Sequence, residues 1–576
     1  ALRFATGGMV ELRSGGEVAL RGVRPGKPVT VPLTIAGTGV GAGLVRVEIT
    51  GPDGLAVTRE WAVGVRRLQP AVSRRRVELI EPGRKSAVSP DAVPEPVALR
   101  RETVGVMLAV GTMPDLDLPG LLLSLDRYPY GSAEQITSRA MPLLQLGPVM
   151  AALEIASEAE VRQRVQRAID RLVSVQRSDG AFAMWSPQGP GELWLTSYAL
   201  DFLGRARQAG YRVPEMPWRK GVEWLNGVLD NAWFDEAELA ARAYALYTLA
   251  GAKAIDVAEA RYFQETWWAA LPTRMARAQI ASALARLGDG GRAAEAFNQL
   301  ERPREEPAGM RDFGSDLRDQ AAVVALLAES NGGNRERLVA QTQQLATMLA
   351  DAEATSTQEQ AWVLMASAAL AGKSAEMKLT VDGAPLASNK PVYRRLDPGG
   401  APVKLENTGS APVWRAVTLA GVPVDPPPAA SEGFRIERKV LDMDGKPVDP
   451  ANVGRNRMLV VILEGESLLR QDHQALVVDM LPAGLEIENV RLADSGQLGD
   501  LSWLGTLSAV NHVDYRDDRF VAALDLKPDQ PAFRLVYLVR AVTPGDYAMP
   551  GAYVEDMYSP NLFARGPAGR MVVGEE

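Results

Sequence analysis

The chain has 576 residues, which is too long for one hydrophobic core, and we predict about three to five domains. Its net charge is −8, with lysine and arginine scattered along the sequence, which argues against nucleic acid as a partner. No apolar run of about 18 residues occurs, so the sequence predicts no membrane span.

The sequence contains no cysteine, which excludes disulfides, thiolate metal sites and a cysteine nucleophile in this chain. It contains only two histidines, His473 and His512. Most metal sites and serine–histidine nucleophile pairs need a histidine, so we expect no metal site, no cofactor and no enzymatic activity. We interpret the two histidines as structural residues.

Residues 1 to about 112 show the alternation typical of β-strands, interrupted by glycine and proline. The runs 29–35 and 44–49 predict strands, and a further strand is predicted at 97–104. Gly51-Pro52-Asp53-Gly54 predicts a turn.

From about 113 to 373 the apolar period becomes helical. Leu195, Tyr198, Phe202 and their neighbours form one apolar stripe, and similar stripes follow at intervals. Ser356 with Glu359, and Thr355 with Gln358, fit the pattern of a capping box that opens the last helix. Helix pairs repeated with loose spacing indicate an α/α toroid or a solenoid.

After about 374 the β pattern returns. Three prolines at 426–428 indicate a domain edge, and strand-like runs at 458–463, 475–480 and 533–542 predict an antiparallel sandwich. The simplest interpretation of this order is a multidomain α+β chain with a helical domain inserted into a β-domain.

Residues 128–138 read Tyr-Pro-Tyr-Gly-Ser-Ala-Glu-Gln-Ile-Thr-Ser. This run resembles the thioester loop of the α2-macroglobulin and complement family, usually Tyr-Pro-Tyr-Gly-Cys-x-Glu-Gln. In that family the Cys thiolate attacks the Gln side chain and leaves an internal thioester. Here Ser132 stands at the Cys position, while Glu134 and Gln135 are kept.

Further stretches resemble the bacterial branch of the family, and they occur in family order. They are Gln176-Arg177-Ser178-Asp179-Gly180-Ala181-Phe182, Trp194-Leu195-Thr196-Ser197-Tyr198, residues 355–362, residues 478–484, residues 515–519 and Glu555-Asp556-Met557-Tyr558-Ser559-Pro560. The family's bait region, which target proteases cut, lies upstream, and nothing here resembles it. We therefore expect the chain to be a fragment, the C-terminal half of such a protein.

The resemblance implies four domains. They are a macroglobulin-like β-domain at 1–70, a split CUB-like β-domain at 71–112 plus 374–428, a helical thioester-type domain (an α/α toroid) at 113–373, and a C-terminal macroglobulin, receptor-binding-like β-sandwich at 431–576.

The residues of the loop argue against covalent chemistry. A serine hydroxyl lacks the acidity of a thiol and needs an adjacent base, and no histidine lies between 113 and 373. Ser132 and Gln135 instead fit a capping box, in which Ser132 accepts from the Gln135 backbone N–H and the Gln135 side chain reaches back. We expect this hydrogen-bonded helix start to replace the covalent bond.

In bacterial relatives, aromatic residues and a Met–Tyr pair from the last domain cover the thioester. The matching positions here are Tyr128, Tyr130, Trp194, Trp233, Met557 and Tyr558, with Trp233 placed only by approximate spacing. Ordinary packing also explains buried aromatics. Both interpretations predict that Met557 and Tyr558 lie near Ser132, where they form a latch between domains.

The family resemblance implies a protease-trapping endopeptidase inhibitor without a functional thioester, with target proteases as partners. The alternative is a scaffold that holds other envelope proteins without inhibition. Either protein is expected in the periplasm, associated with the inner membrane through an N-terminal anchor absent here. Residues 176–182 with Trp185 also resemble the Gln–Trp repeats of triterpene cyclases, but the Asp-rich acid motif of those enzymes is missing from the helical block.

Overall fold

The computed structural model describes residues 1–125, 131–330, 335–488 and 501–575. Two compact units are present. The first comprises residues 1–74, 94–105 and 419–426, and the second comprises residues 75–93, 106–418 and 427–576.

The first unit is built from short antiparallel strands. They are β1 (Leu2–Gly8), β2 (Val10–Ser14), β3 (Glu17–Val18), β4 (Thr34–Gly37), β5 (Gly41–Thr50) and β6 (Ala56–Val65). One sheet has the order β3-β1-β5-β6, and β2 pairs with β4. Val45 and Val47 of β5 point to a buried face while Arg46 between them is exposed, which is the period-2 pattern that the sequence shows.

Two strand predictions in this unit are wrong. The predicted strand at 29–35 begins only at Thr34, because Pro28 and Pro32 remove donors that a ladder needs. The predicted strand at 97–104 contains a 3₁₀ turn, Arg101–Thr103, in which the Thr103 hydroxyl donates to the Arg100 carbonyl at 2.7 Å. The predicted turn at 51–54 is confirmed, with Asp53 in the left-handed region at φ 59°.

The second unit begins with strands that lie on either side of the helical block in sequence. They are β7 (Val72–Ile80), β8 (Lys85–Val88), β9 (Gly105–Gly111), β10 (Met377–Val381), β11 (Ala384–Ser388), β12 (Val392–Leu396), β13 (Val403–Asn407) and β14 (Val413–Gly421). They form two sheets, in the orders β11-β10-β13-β8 and β12-β9-β14-β7. Val88 pairs with Val403, and Val110 pairs with Val392, so chain from before and after the helices shares both sheets.

Thirteen α-helices lie between these strands in the described residues. They are α1 (Leu118–Ser124), α2 (Ala133–Ala140), α3 (Leu143–Ala152), α4 (Glu158–Ser174), α5 (Leu193–Gln208), α6 (Glu215–Leu229), α7 (Leu239–Gly251), α8 (Val257–Trp267), α9 (Arg274–Arg286), α10 (Gly290–Asn298), α11 (Asp316–Glu329), α12 (Arg335–Asp351) and α13 (Thr357–Ala371). No helix in the described part of the chain is long and apolar enough to cross a membrane.

Six of these helices contact one another in a closed order: α2, α5, α7, α9, α11, α13 and back to α2. Ring helices are buried nearly all round, as in α7, where every residue from Leu239 to Ala250 is buried. Helix α4 packs on α2 and buries only the stripe Val161, Val165, Ile169 and Leu172. A helix that is buried all round belongs inside, and one with a single apolar stripe belongs outside. Helix α2 is therefore part of the inner ring.

The remaining strands form the C-terminal part of the second unit. They are β15 (Ala430–Glu432), β16 (Phe434–Leu441), β17 (Met458–Ser467), β18 (His473–Met480), β19 (Leu485–Ile487), β20 (His512–Tyr515), β21 (Arg519–Leu526), β22 (Ala532–Ala541), β23 (Gly545–Met549), β24 (Tyr553–Asp556), β25 (Phe563–Arg565) and β26 (Gly569–Val573). The three strands predicted from 458, 475 and 533 are confirmed as β17, β18 and β22.

Two sheets of this region share one core. Their orders are β15-β25-β24-β18-β21-β20 and β16-β17-β22-β19, with β23 and β26 as a separate pair. Leu459 and Val461 of β17 pack with Val477 of β18 and Phe520 of β21 in a single buried cluster. The core thus fixes the position of β18, β20 and β24 and of the loop that follows β24.

Candidate functional site

The start of α2 is set by Ser132. This residue has extended backbone angles, φ −64° and ψ 153°, and its Oγ accepts from the Gln135 backbone N–H at 3.1 Å. Gly131 before it has φ 87°, a conformation that favours glycine. The predicted N-cap role of Ser132 is confirmed. Its side chain is fully buried, so the bond is shielded from water.

The second half of the predicted capping box is wrong. The Gln135 side chain does not reach back to Ser132; its Nε2 donates to Met557 Sδ at 3.7 Å, and its Oε1 has no hydrogen-bond partner among the described residues. The backbone N–H of Ala133 donates to the Met184 carbonyl at 2.7 Å. Gln135 therefore points to the last β-region instead of closing the helix start.

Glu134 lies at the centre of a buried hydrogen-bond network. Its carboxylate accepts from Ser138 Oγ at 2.5 Å and Gln358 Nε2 at 2.8 Å, and from Thr357 Oγ1 at 2.9 and 3.0 Å. Tyr558 Oη also donates to it, at 3.2 Å. All these donors are neutral. Burial raises the pKa of the Glu134 carboxyl, and the hydrogen bonds oppose that rise.

The loop after β24 supplies the other side of this contact. Asp556 Oδ1 accepts from the backbone N–H groups of Tyr558 at 2.9 Å and Ser559 at 3.1 Å, which fixes the loop. Met557 is 5% exposed and packs in a cluster with Trp185 and Tyr558. Met557 and Tyr558 therefore contact α2 through Gln135 and Glu134.

The remaining aromatic residues matched to those that cover the thioester in bacterial relatives differ in position. Trp194 on α5 packs on Phe313 at 5.6 Å between ring centroids, and Phe313 packs on Tyr558 at 5.0 Å, so Trp194 reaches the contact through one intermediate ring. Trp233 is 89% exposed, and nothing in the described residues connects its ring with Ser132, so its role stays a prediction. Tyr128 and Tyr130 lie outside the described residues.

Sequence reasoning missed several residues of this contact. Thr357 and Gln358 bind Glu134, although the sequence suggested only a cap for Gln358. The capping box at α13 is formed by Ser356 and Glu359 alone. Trp185 stacks on His512 with 4.6 Å between centroids and an angle of 5° between ring planes, which links the helices to β20. The family motif around 355–362 was the available signal for Thr357 and Gln358.

The geometry offers no activated nucleophile at Ser132. In the described part of the chain, its Oγ has only the Gln135 N–H as a partner, and no carboxylate or imidazole bonds it. His473 is buried and bonded to Asp556 at 2.8 Å and Ser467 at 2.8 Å, which agrees with its structural interpretation. No group of three or more residues suited to hold a metal ion occurs among the described residues.

Comparison with known proteins is consistent with this architecture. A family model for the bacterial alpha-2-macroglobulin MG10 domain matches residues 433–561. Alpha-2-macroglobulin of Escherichia coli strain K12 is 31% identical over 98% of this chain and 36% of its own length. That of Xylella fastidiosa strain Temecula1 is 29% identical over 91% of this chain and 33% of its own length. The chain thus spans about a third of the curated relatives that it matches.

Solved structures give the same result. The native Escherichia coli alpha-2-macroglobulin piece from domain MG7 to the C-terminus matches with a TM-score of 0.85 and 29% identity, covering 99% of this chain and 93% of that one. Salmonella alpha-2-macroglobulin reacted with methylamine matches with a TM-score of 0.84 and 30% identity, covering 99% of this chain and 38% of that one. From the loop motifs, the shared sheets and these matches, the chain belongs to the bacterial alpha-2-macroglobulin family.

Proposed function

We propose that this chain is the C-terminal part of a bacterial alpha-2-macroglobulin that traps proteases without a thioester and is not itself an enzyme. The observation that carries the proposal is Ser132, which occupies the Cys position of the loop motif and serves as the N-cap of α2. In the described part of the chain no carboxylate or imidazole bonds the Ser132 Oγ, so no base is in place to activate it for acyl transfer.

Physical entrapment needs no covalent bond. In the proposed mechanism, cleavage of an upstream bait region releases the chain from one arrangement into another, which encloses the protease. The contact of Gln135 with Met557 and of Glu134 with Tyr558 then acts as a latch for the arrangement before cleavage. In this proposal Met557 and Tyr558 take the place of the Met–Tyr pair that covers the thioester in bacterial relatives, but they cover no reactive bond.

We also propose the domain division that the family resemblance implies. It comprises a macroglobulin-like domain at 1–70, a split CUB-like domain at 71–112 plus 374–428, a helical domain at 113–373 and a C-terminal macroglobulin sandwich at 431–576. The closed order of inner helices supports an α/α toroid, and the two sheets with a shared core support the sandwich. The strands shared across the helical block support its insertion into a β-domain.

The proposed partners are target proteases, and the proposed compartment is the periplasm, with attachment to the inner membrane through an N-terminal anchor. Both proposals follow from membership of the family, which the similarity to alpha-2-macroglobulins of Escherichia coli and Xylella fastidiosa supports. The alternative is a scaffold that holds other envelope proteins without inhibition. It predicts a different result from trapping in the protease assay described below.

The absence of a covalent bond is tested by the intact mass of the full-length protein before and after methylamine. We expect the mass of the unmodified sequence and no change with methylamine. A mass lower by one ammonia, with methylamine added on treatment, contradicts the proposal, since an ester between the Ser132 hydroxyl and the Gln135 side chain expels ammonia when it forms.

Trapping is tested by incubation of the full-length protein with a broad-specificity protease. We expect the protease to keep its activity on small peptides and to lose most of it on large proteins. Unchanged activity on both substrates contradicts trapping and favours the scaffold. The mass and protease assays are independent, so each half of the proposal can fail separately.

A further inference from the structure

A cavity of about 450 Å³ lies between the helices and the last β-region, beside the start of α2. Five arginines line it: Arg139, Arg164, Arg167, Arg171 and Arg516. Among the described residues that line it, Asp514 supplies the one carboxylate. The whole chain has a net charge of −8, so this concentration of positive charge is opposite in sign to the rest of the molecule.

Three of the arginines form a stripe on α4. Arg164, Arg167 and Arg171 are spaced by three and four residues, which places them on one face of the helix. Like charges at this spacing repel, and each such pair destabilises the helix. The pairs within the stripe therefore do not stabilise the helix.

Ion pairs among the described residues do not neutralise two members of this stripe, Arg167 and Arg171. Arg167 has no hydrogen bond or ion pair among the described residues, and the Arg171 guanidinium bonds only to Ser174 Oγ, at 3.4 Å. The wall carboxylate, Asp514, accepts from Arg516 at 2.6 Å on the opposite side. Two guanidinium groups are therefore available to a ligand from solution.

The floor of the cavity is apolar. Ile136 and Leu143 are buried beneath it, and Ala140 and Ala168 complete it. The cavity is larger than one inorganic anion needs, because a water molecule occupies only about 30 Å³ in the liquid and small-molecule pockets span about 300–1,000 Å³. Guanidinium groups recognise carboxylate and phosphate oxygens through paired hydrogen bonds.

We propose that this cavity binds a small organic anion carrying two or more phosphate or carboxylate groups. The anionic groups contact the α4 stripe, and the carbon skeleton lies on the floor formed by Ile136 and Leu143. Because His512 and Arg516 come from the last β-region, the bound anion contacts both sides of the cavity. Binding therefore strengthens the association of the helices with that region, independently of any protease.

Calorimetric titration of the full-length protein at low ionic strength tests the site. Inorganic phosphate, pyrophosphate and citrate are the probes, and sodium chloride at matched ionic strength is the control. We expect saturable binding of pyrophosphate and citrate and weaker binding of phosphate. The relative affinity of pyrophosphate and citrate distinguishes a phosphate-bearing ligand from a carboxylate-bearing one.

The variant Arg167→Gln/Arg171→Gln is expected to bind each probe about tenfold more weakly or worse, since a hydrogen bond to a charged group contributes about 1.5–3 kcal/mol. Arg162→Gln on the same helix removes one positive charge outside the cavity and is expected to bind as wild type. Equal loss in both variants, or a response that sodium chloride reproduces, overturns the proposal.

The location of the bound anion is checked by nuclear magnetic resonance of the two histidines. His512 lines the cavity, whereas His473 is buried in the core of the last β-region. With ¹³C-labelled histidine, pyrophosphate is expected to shift the His512 signal and leave the His473 signal in place, the two being assigned with His512→Asn. Calorimetric binding without a His512 shift places the anion elsewhere and overturns the assignment.

Discussion

The two faces of α2 differ in the charged side chains that they carry and in the partners of those side chains. On one face, Glu134 and Ser138 are buried and bonded to neutral donors from α13 and from the loop after β24. On the other, Ile136 and Arg139 line an open cavity with four further arginines. Among the described residues, the first face holds one carboxylate without a cation, and the second holds five arginines with one carboxylate. The difference indicates that the first face stabilises the fold and that the second is available for a ligand.

The largest effect is expected from Glu134→Ala. The truncation leaves the donors of Ser138, Thr357, Gln358 and Tyr558 without their acceptor and opens a cavity, which together cost about 4 kcal/mol. Glu134→Gln keeps the shape and can exchange hydrogen bonds with the hydroxyl groups, so its loss is expected to be much smaller. Thermal unfolding should show a fall of about 10 °C for the alanine variant. Equal falls for both variants contradict the network.

A smaller effect is expected from pH. Burial raises the pKa of Glu134 above its ordinary 4.5. A carboxyl whose folded pKa exceeds its unfolded pKa contributes stability that is present below the unfolded value and is lost as pH rises through the folded value. Wild type should therefore lose stability relative to Glu134→Gln as pH rises above 4.5.

Wild type must be compared with Glu134→Gln because Asp117 also titrates. Burial raises the pKa of Asp117 to about 6, so it titrates in the same direction as Glu134. It is present in both chains, and its contribution cancels when wild type is compared with Glu134→Gln. Parallel stability profiles from pH 4 to 8 for the two chains contradict a raised pKa at Glu134.

A still smaller effect is expected at the cap. Ser132→Ala removes the acceptor for the Gln135 N–H, and loss of an N-cap costs about 1 kcal/mol. Ser157→Ala at the exposed start of α4 is the matched control, where water can replace the lost bond. Denaturant unfolding should show the larger loss for Ser132→Ala. A loss confined to Ser157→Ala contradicts a stabilising role for Ser132.

The fate of Gln135 shows which part of the site a sequence can predict. The bond between Ser132 and the Gln135 N–H spans three residues, and the local pattern Ser-x-x-Gln predicts it. The contact of the Gln135 side chain with Met557 spans 422 residues and depends on how the last β-region packs. No local pattern contains that information, and only the family resemblance pointed to Met557.

Helix burial has a similar limit. The periodicity of residues 195–206 predicts one apolar stripe, but α5 is buried continuously from Trp194 to Leu203 because it belongs to the inner ring. Thr196, Ser197 and Asp201 are buried polar members that no stripe predicts.

The strand prediction at 29–35 was wrong for another reason. Its residues alternate as in a strand, but its prolines cannot donate hydrogen bonds to a ladder.

The smallest effect on stability is expected from Arg167→Gln. This variant should gain stability, whereas the variants on the Glu134 face should lose it. Removal of one charge from the α4 stripe relieves repulsion from Arg164 and Arg171, so stability at low salt should rise by about 0.2–0.5 kcal/mol. At about 1 M salt the screening length is about 3 Å and the gain should disappear.

Denaturant unfolding at both salt concentrations measures this gain, with Arg162→Gln as control. Arg162 lies over the Tyr211 ring at 4.7 Å, so its removal gives no such relief. A gain that persists at high salt, or a loss at low salt, contradicts charge repulsion in the stripe. The loss from Ser132→Ala should not depend on salt, because the bond it removes is between neutral groups. A salt response confined to Arg167→Gln therefore indicates that charge repulsion acts at the cavity face of α2. The contacts on the Glu134 face are then hydrogen bonds with neutral donors.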